Sequence, residues 1–156
     1  IATSYNKDLD HLITYVKEHR PNPETKLAWH MTWAYQSDSK HSDFNRYKRD
    51  QLTMYHAILN VVKNQIVARG AFDLIIPSGI AIQNVRASRI GDTLTRDGYH
   101  LSLNVGRYIV GLTWVKAIMG GSIDGITFVP NAAEISPEAL IVIKEAINQA
   151  ITSPAF

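Results

Sequence analysis

Two apolar runs of strand-like composition, Lys26–Ala34 and Phe72–Pro77, are separated by a polar loop and a long helical repeat, and this spacing constrains the chain more than any other feature. Strand, helix, strand in that order predicts two parallel strands joined by a right-handed crossover. Parallel strands are covered by helices on both faces, so they read as continuous apolar runs and not as alternating ones. Both runs have that character: Leu27-Ala28-Trp29-His30-Met31-Thr32-Trp33-Ala34 and Phe72-Asp73-Leu74-Ile75-Ile76. Arg20-Pro21-Asn22-Pro23 precedes the first, and Pro77-Ser78-Gly79 breaks the second at its end.

Around these runs the helical period recurs. Leu9, Leu12, Ile13 and Val16 form one stripe of a helix from Asn6 to His19, with Asp8 and Asp10 near its positive end. Tyr35–Asp43 is too polar for a core and reads as a surface loop at a strand's C-terminal end. Leu52, Tyr55, Leu59, Val62 and Ile66, widened by Ile58, predict a helix over Arg46–Arg69 that Gly70 ends. A short helix over Ala81–Ala87 and a loop over Ser88–His100 follow. Val105, Tyr108, Ile109, Leu112, Val115 and Met119 then give a helix closed by Gly120-Gly121. After a connector containing Ile126–Pro130, Ser136-Pro137-Glu138 supplies a cap, a first-turn proline and an early acid. The last helix turns Leu140, Ile143, Ile147 and Ile151 inward. Five helices against two strands is an α/β pattern with too few strands for a complete parallel sheet. It predicts the C-terminal part of a doubly wound domain.

Composition sets the remaining bounds. A chain of 156 residues with 46% hydrophobic content is one domain's worth and can bury about 70% of its unfolded surface. A formal charge of +2 comes without a basic tract, so nucleic acid is not implied as a partner. No cysteine is present, which removes disulfides, thiolate metal sites and a cysteine nucleophile. No apolar run approaches the roughly 18–20 residues that span a bilayer, so no membrane partner is expected. The opening Ile1-Ala2-Thr3-Ser4-Tyr5 is neither a methionine start nor a signal peptide and predicts a chain whose beginning lies upstream.

The candidate chemistry sits at the end of the second loop, in Thr95-Arg96-Asp97-Gly98-Tyr99-His100-Leu101-Ser102. A carboxylate three residues before an imidazole can fix the ring's tautomer and steady its charged form, leaving the other nitrogen as a general base. The same spacing also suits a turn cap at Asp97 with His100 as a packing residue.

Asp97-Gly98-Tyr99-His100-Leu101-Ser102, followed by Gly106-Arg107-Tyr108 and a helix carrying Trp114, resembles the last sequence block of the SGNH, or GDSL-like, hydrolases. Trp29-His30-Met31-Thr32-Trp33-Ala34-Tyr35-Gln36, the Met54-Tyr55 helix and Ile76-Pro77-Ser78-Gly79-Ile80-Ala81-Ile82-Gln83-Asn84 extend the resemblance to a gut-bacterial esterase subfamily, from about Tyr5 to Gly120. The resemblance implies a three-layer α/β/α sandwich with a flavodoxin-like parallel sheet. It also implies hydrolysis of esters, often acetyl groups on carbohydrates, without metal or cofactor, in the periplasm or outside the cell. By motif, Asp97 is the orienting acid and His100 the general base. Those enzymes take their nucleophilic serine from a Gly-Asp-Ser-like block and their oxyanion donors from that block and two others, and none of these blocks is visible here. The resemblance therefore implies a Ser-His-Asp triad whose serine lies outside the chain.

Other residues carry weaker signals. Ser78 and Ser102 are possible local nucleophiles, but neither lies in a Gly-x-Ser-x-Gly elbow. Trp29, Trp33 and Tyr35 pack under helices or reach toward a ligand at the strand's C-terminal edge, and Gln36 and Asp38 at the strand exit suit substrate contact. Asn84, with Arg86, follows the second strand and is placed in the same cleft by position. His30, His41, His56 and His100 lack metal-ligand spacing. Lys40, His41, Arg46, Lys48 and Arg49 form a basic patch, either a solvated surface or a contact for an acidic sugar or a partner. A sheet lacking central strands leaves the helices around Leu59 and Leu112 with bare apolar faces, which predicts a companion chain or a homo-oligomer. The other function class open to the residues is a non-catalytic carbohydrate-binding or interaction domain.

Overall fold

Strand β1 (Ala28–His30) pairs in parallel with β2 (Leu74–Ile76), Ala28 opposite Leu74, Trp29 opposite Ile75 and His30 opposite Ile76. The computed structural model describes residues 2–156, with side chains from Asp8 onward; those of the Ile1–Tyr5 opening lie outside the described residues. Helices α1 (Ala2–His19), α2 (Gln51–Val61), α3 (Ser78–Arg86), α4 (Val105–Met119) and α5 (Pro137–Thr152) complete an α/β arrangement around the small sheet. None of the described helices is long and apolar enough to cross a membrane.

Both strands are shorter than the apolar runs that contain them, because the backbone beyond His30 finds partners outside the sheet. Met31 still donates to the Ile76 carbonyl, but its own carbonyl accepts from the Gly79 amide at the start of α3. The carbonyls of Ala34 and Tyr35 accept from Arg86 and Gln51, and the Gln36 amide donates to the Gly98 carbonyl. A Cβ on Gly79 would lie 2.0 Å from the Thr32 oxygen, so glycine is what allows α3 to abut the chain leaving β1.

Three helix expectations need correction. Residues 46–50 are not part of α2: Ser42–Tyr47 forms a 3-10 turn around the buried Phe44, and Lys48 and Arg49 reverse the chain with φ of 57° and 54°. Asp50 then caps α2 by accepting from the Thr53 amide at 2.7 Å. Leu52, expected inside, is exposed, and the buried set is Met54, Tyr55, Ile58 and Leu59. The helix continues as a π-turn at Val62–Val67, whose widened register still buries Val62 and Ile66. On α1, Leu9 and Ile13 are buried while Leu12 is exposed; on α4, Val115 and Met119 face out.

Helix α3 begins at Ser78, earlier than the sequence predicts, and is buried along nearly its whole length between α4 and α5. Ile82 of α3, Ile109 of α4 and Ile143 and Ile147 of α5 are fully inaccessible, each worth about 1.5–3 kcal/mol over an exposed side chain. Ser136 caps α5 through the Ala139 amide, with Pro137 at its first position, as the sequence predicts.

Candidate functional site

The Asp97–His100 turn is closed at its base by an isolated antiparallel bridge between Thr95 and Leu101, with the Arg96 amide donating to the His100 carbonyl at 2.9 Å. Within it, Asp97 Oδ1 accepts from the amides of Tyr99 and His100, at 3.2 and 2.8 Å. Its Oδ2 lies 2.7 Å from His100 Nδ1. Desolvation works against the charged carboxylate, but the ring and the two amides outweigh it and hold the Asp97 carboxyl down at about 2. Arg96 lies 3.9 Å from the same carboxylate. With Nδ1 engaged as a donor, Nε2 of His100 is left as the basic nitrogen on a side chain that is 53% exposed.

Gly98 makes the turn possible: its φ is +90°, and a Cβ there would come within 3.0 Å of Ser39 atoms, main chain included. Ser39 is itself buried, so the Ser37–His41 loop and the Asp97–His100 turn lie back to back.

Most sequence-predicted contacts gather here. The Trp33 indole N–H donates to the Tyr99 carbonyl at 2.8 Å. Gln36 donates its amide to the Gly98 carbonyl at 2.8 Å, and its side-chain oxygen accepts from the Thr95 hydroxyl at 2.6 Å. Asp38 is held through Gln36 Nε2 at 2.9 Å. Tyr35 lies 5.7 Å from Tyr99, which in turn lies 4.7 Å from His41 and 4.0 Å from His100, ring centre to ring centre. Burial pushes the Tyr35 phenol up, keeping it neutral.

Asn84 does not belong to this group. Its Nδ2 donates to the Ala146 carbonyl of α5 at 3.1 Å, because that face of α3 packs on a helix and not on the cleft. Arg86 is likewise inside the protein, 2.6 Å from Asp92. Ser78 Oγ is inaccessible and lies 2.8 Å from His30 Nε2, and burial pushes that imidazole's pKa down. Ser102 Oγ accepts from the Gly106 amide at 2.9 Å, at the start of α4. The basic patch is partly engaged: Arg46 pairs with Asp43, and Arg49 donates to the Ser39 carbonyl. Among the described residues, no three His, Cys, Asp or Glu side chains are grouped to hold a metal ion.

Asp92, Gln51 and Ser39 take part in the site's framework without a signal of their own in the sequence, and Thr95 and Tyr99, which stand in the motif without an assigned role, join them. One signal was available: an arginine on the inner face of α3 beside Ile82 and Val85 requires a buried acidic partner.

A family model described as "Domain of unknown function (DUF4886)" matches residues 1–150. The chain is also similar to a DUF4886 family protein of known crystal structure from Bacteroides uniformis ATCC 8492, with 38% identity and a TM-score of 0.91. That match covers 100% of this chain and 59% of the other, so the chain spans little more than half of that relative's length. No curated protein matches the chain.

Proposed function

The chain belongs to the DUF4886 family, and on that footing we propose that Asp97 and His100 form the acid–base half of a serine esterase site. The observation that carries this reading is the 2.7 Å contact from Asp97 Oδ2 to His100 Nδ1, with the carboxyl held ionised and the imidazole half exposed. In this reading His100 Nε2 takes the proton of a serine hydroxyl as its oxygen bonds to the ester carbonyl carbon. The same nitrogen returns the proton to the departing alkoxide as the carbon–oxygen bond breaks. Water repeats the cycle to release the acid. Asp97 holds the tautomer and stabilises the imidazolium.

The serine and the oxyanion donors come from polypeptide outside these 156 residues. Ser78 is inaccessible inside the protein, and Ser102 Oγ accepts from the Gly106 amide. The substrate is an acyl ester, an acetyl ester on a carbohydrate or a small molecule, processed in the periplasm or outside the cell. The fold is the C-terminal part of a three-layer α/β/α sandwich with a flavodoxin-like parallel sheet, a reading supported by the parallel β1–β2 pair and the helices that follow each strand. A companion segment, or a second copy, covers the apolar face that α4 presents through Val115, Ile118 and Met119.

A second reading is a non-catalytic carbohydrate-binding domain, favoured by the aromatic group of Tyr35, His41 and Tyr99 beside His100. The two separate on exposure of a longer form of the protein to a serine-reactive phosphonate. Covalent labelling that His100→Ala abolishes supports the esterase; saccharide binding without labelling supports the binding domain.

A further inference from the structure

We propose that the ion pair between buried Arg86 and partly buried Asp92 is a positioning device that fixes the geometry of the Asp97–His100 pair. Arg86, on the core helix α3, has a side chain only 2% exposed, and its Nε lies 2.6 Å from Asp92 Oδ1. The side-chain hydrogen bonds of this pair reach the chain that leaves β1, directly or through Gln51. Arg86 Nη1 donates to the Ala34 carbonyl at 2.9 Å. Asp92 Oδ2 accepts from the Ser37 amide at 2.8 Å and from Gln51 Nε2 at 2.7 Å, and Gln51 Nε2 also reaches the Tyr35 carbonyl at 3.1 Å. Residues 34–37 are thereby held in one conformation.

That segment in turn holds the turn bearing the site. The Gln36 amide donates to the Gly98 carbonyl and the Gln36 side-chain oxygen accepts from the Thr95 hydroxyl, while Trp33, the residue just before the segment, donates its indole N–H to the Tyr99 carbonyl. Gly98 and Tyr99 are the two residues between Asp97 and His100, so their peptide planes decide whether the carboxylate can meet the ring. The relay runs from α3 through the ion pair to residues 34–37, and from there to Gly98 and Tyr99.

Stability alone is a weak reason for such a pair. Arg86 is buried and Asp92 is 22% exposed; taking a charge out of water costs several kcal/mol, and replacing such a pair by apolar groups is often neutral or stabilising. What an apolar pair cannot supply is a set of directed bonds to the Ala34 carbonyl and the Ser37 amide. Arg86 and Asp92 are therefore positioning residues, acting through the turn and touching none of the reacting atoms. Their importance for turnover rests on the esterase reading, but their geometric role does not.

The test uses this chain and no substrate. Arg86→Met/Asp92→Leu removes both charges together; its folding is checked by circular dichroism, and the Asp97 carboxyl and the His100 ring nitrogens are followed by NMR. The midpoint of Asp97, about 2 in the intact protein, is expected to move toward its ordinary 3.8, and His100 to lose its Nδ1–H preference. Arg86→Lys should restore part of both. Asp92→Asn alone, which removes the charge facing Arg86 and leaves the Asp97–His100 turn's own residues in place, should shift the midpoint in the same direction, and it decides the matter if the double variant does not fold. A folded double variant, or a folded Asp92→Asn, with an unchanged midpoint and tautomer overturns the proposal. Loss of the esterase reading alone leaves both readouts untouched.

Discussion

The Trp33 indole N–H donates to the Tyr99 carbonyl at 2.8 Å, tying the chain that leaves β1 to the turn that carries Asp97 and His100. The bond joins the end of the apolar strand run to the polar turn that holds Asp97 and His100. Neighbouring bonds from Gln36 and Thr95 make the link several-fold, so the turn's shape is set by the core as well as by its own sequence.

Gly98→Ala should disturb that link most sharply. At φ of +90° any Cβ is strained, and the added carbon would lie 2.9 Å from Ser39 Cα, a main-chain atom that cannot rotate away. A loss of about 1–3 kcal/mol is expected, measured by urea unfolding, together with a chemical-shift change at the His100 ring.

Asp97 makes stability depend on pH in a defined window. Its folded carboxyl titrates at about 2 against an ordinary 3.8, so its contribution is fully present above the ordinary value and disappears as pH falls toward 2. Thermal melts of the chain and of Asp97→Asn should therefore differ near pH 6 and converge as pH approaches 2. Equal melting temperatures for the two at pH 6 would contradict this.

Asn84→Ala separates packing from the site. Losing the bond to the Ala146 carbonyl should lower stability by about 1 kcal/mol. Ester turnover by a longer form of the protein should be unchanged, as the side chain lies between α3 and α5; a large rise in KM would return Asn84 to the cleft.

The outward face of α4 bears on assembly. Ile118 is 57% and Met119 76% exposed, with Trp114 and Val115 beside them, and each Å² of apolar surface left in water forgoes about 25 cal/mol. Sedimentation should show concentration-dependent association of the chain alone, weakened by Ile118→Lys. A monodisperse monomer across the concentration range would rule out a second copy on this face.

Local signals were legible in the sequence and long-range ones were not. Ser136-Pro137 at the start of α5 and Gly120 at the end of α4 act within a single turn, and both stand where the sequence puts them. The Asp97–His100 contact is equally local, spanning three residues; its spacing allows the contact alongside a turn cap with a packing histidine, and the resemblance is what assigns the pair its roles. Arg86 and Asp92 meet across a loop with no period, and Trp33 and Tyr99 are far apart in the chain, so no repeat or motif encodes either pair. The left-handed Lys48 and Arg49 escaped for another reason: neither is a residue type that signals positive φ. The helical period runs through Leu52 and predicts it in the buried stripe, but the helix that carries it begins only at Gln51 and leaves it exposed.

The most direct measurement of the central claim is the hydrolysis rate of a chromogenic acetate ester by a form of the protein that includes the polypeptide preceding this chain. His100→Ala should lower kcat/KM by about 10²–10⁴-fold, and Asp97→Asn should lower kcat strongly in a protein that still folds. Turnover that His100→Ala leaves unchanged would show that the Asp97–His100 pair is not the acid–base centre.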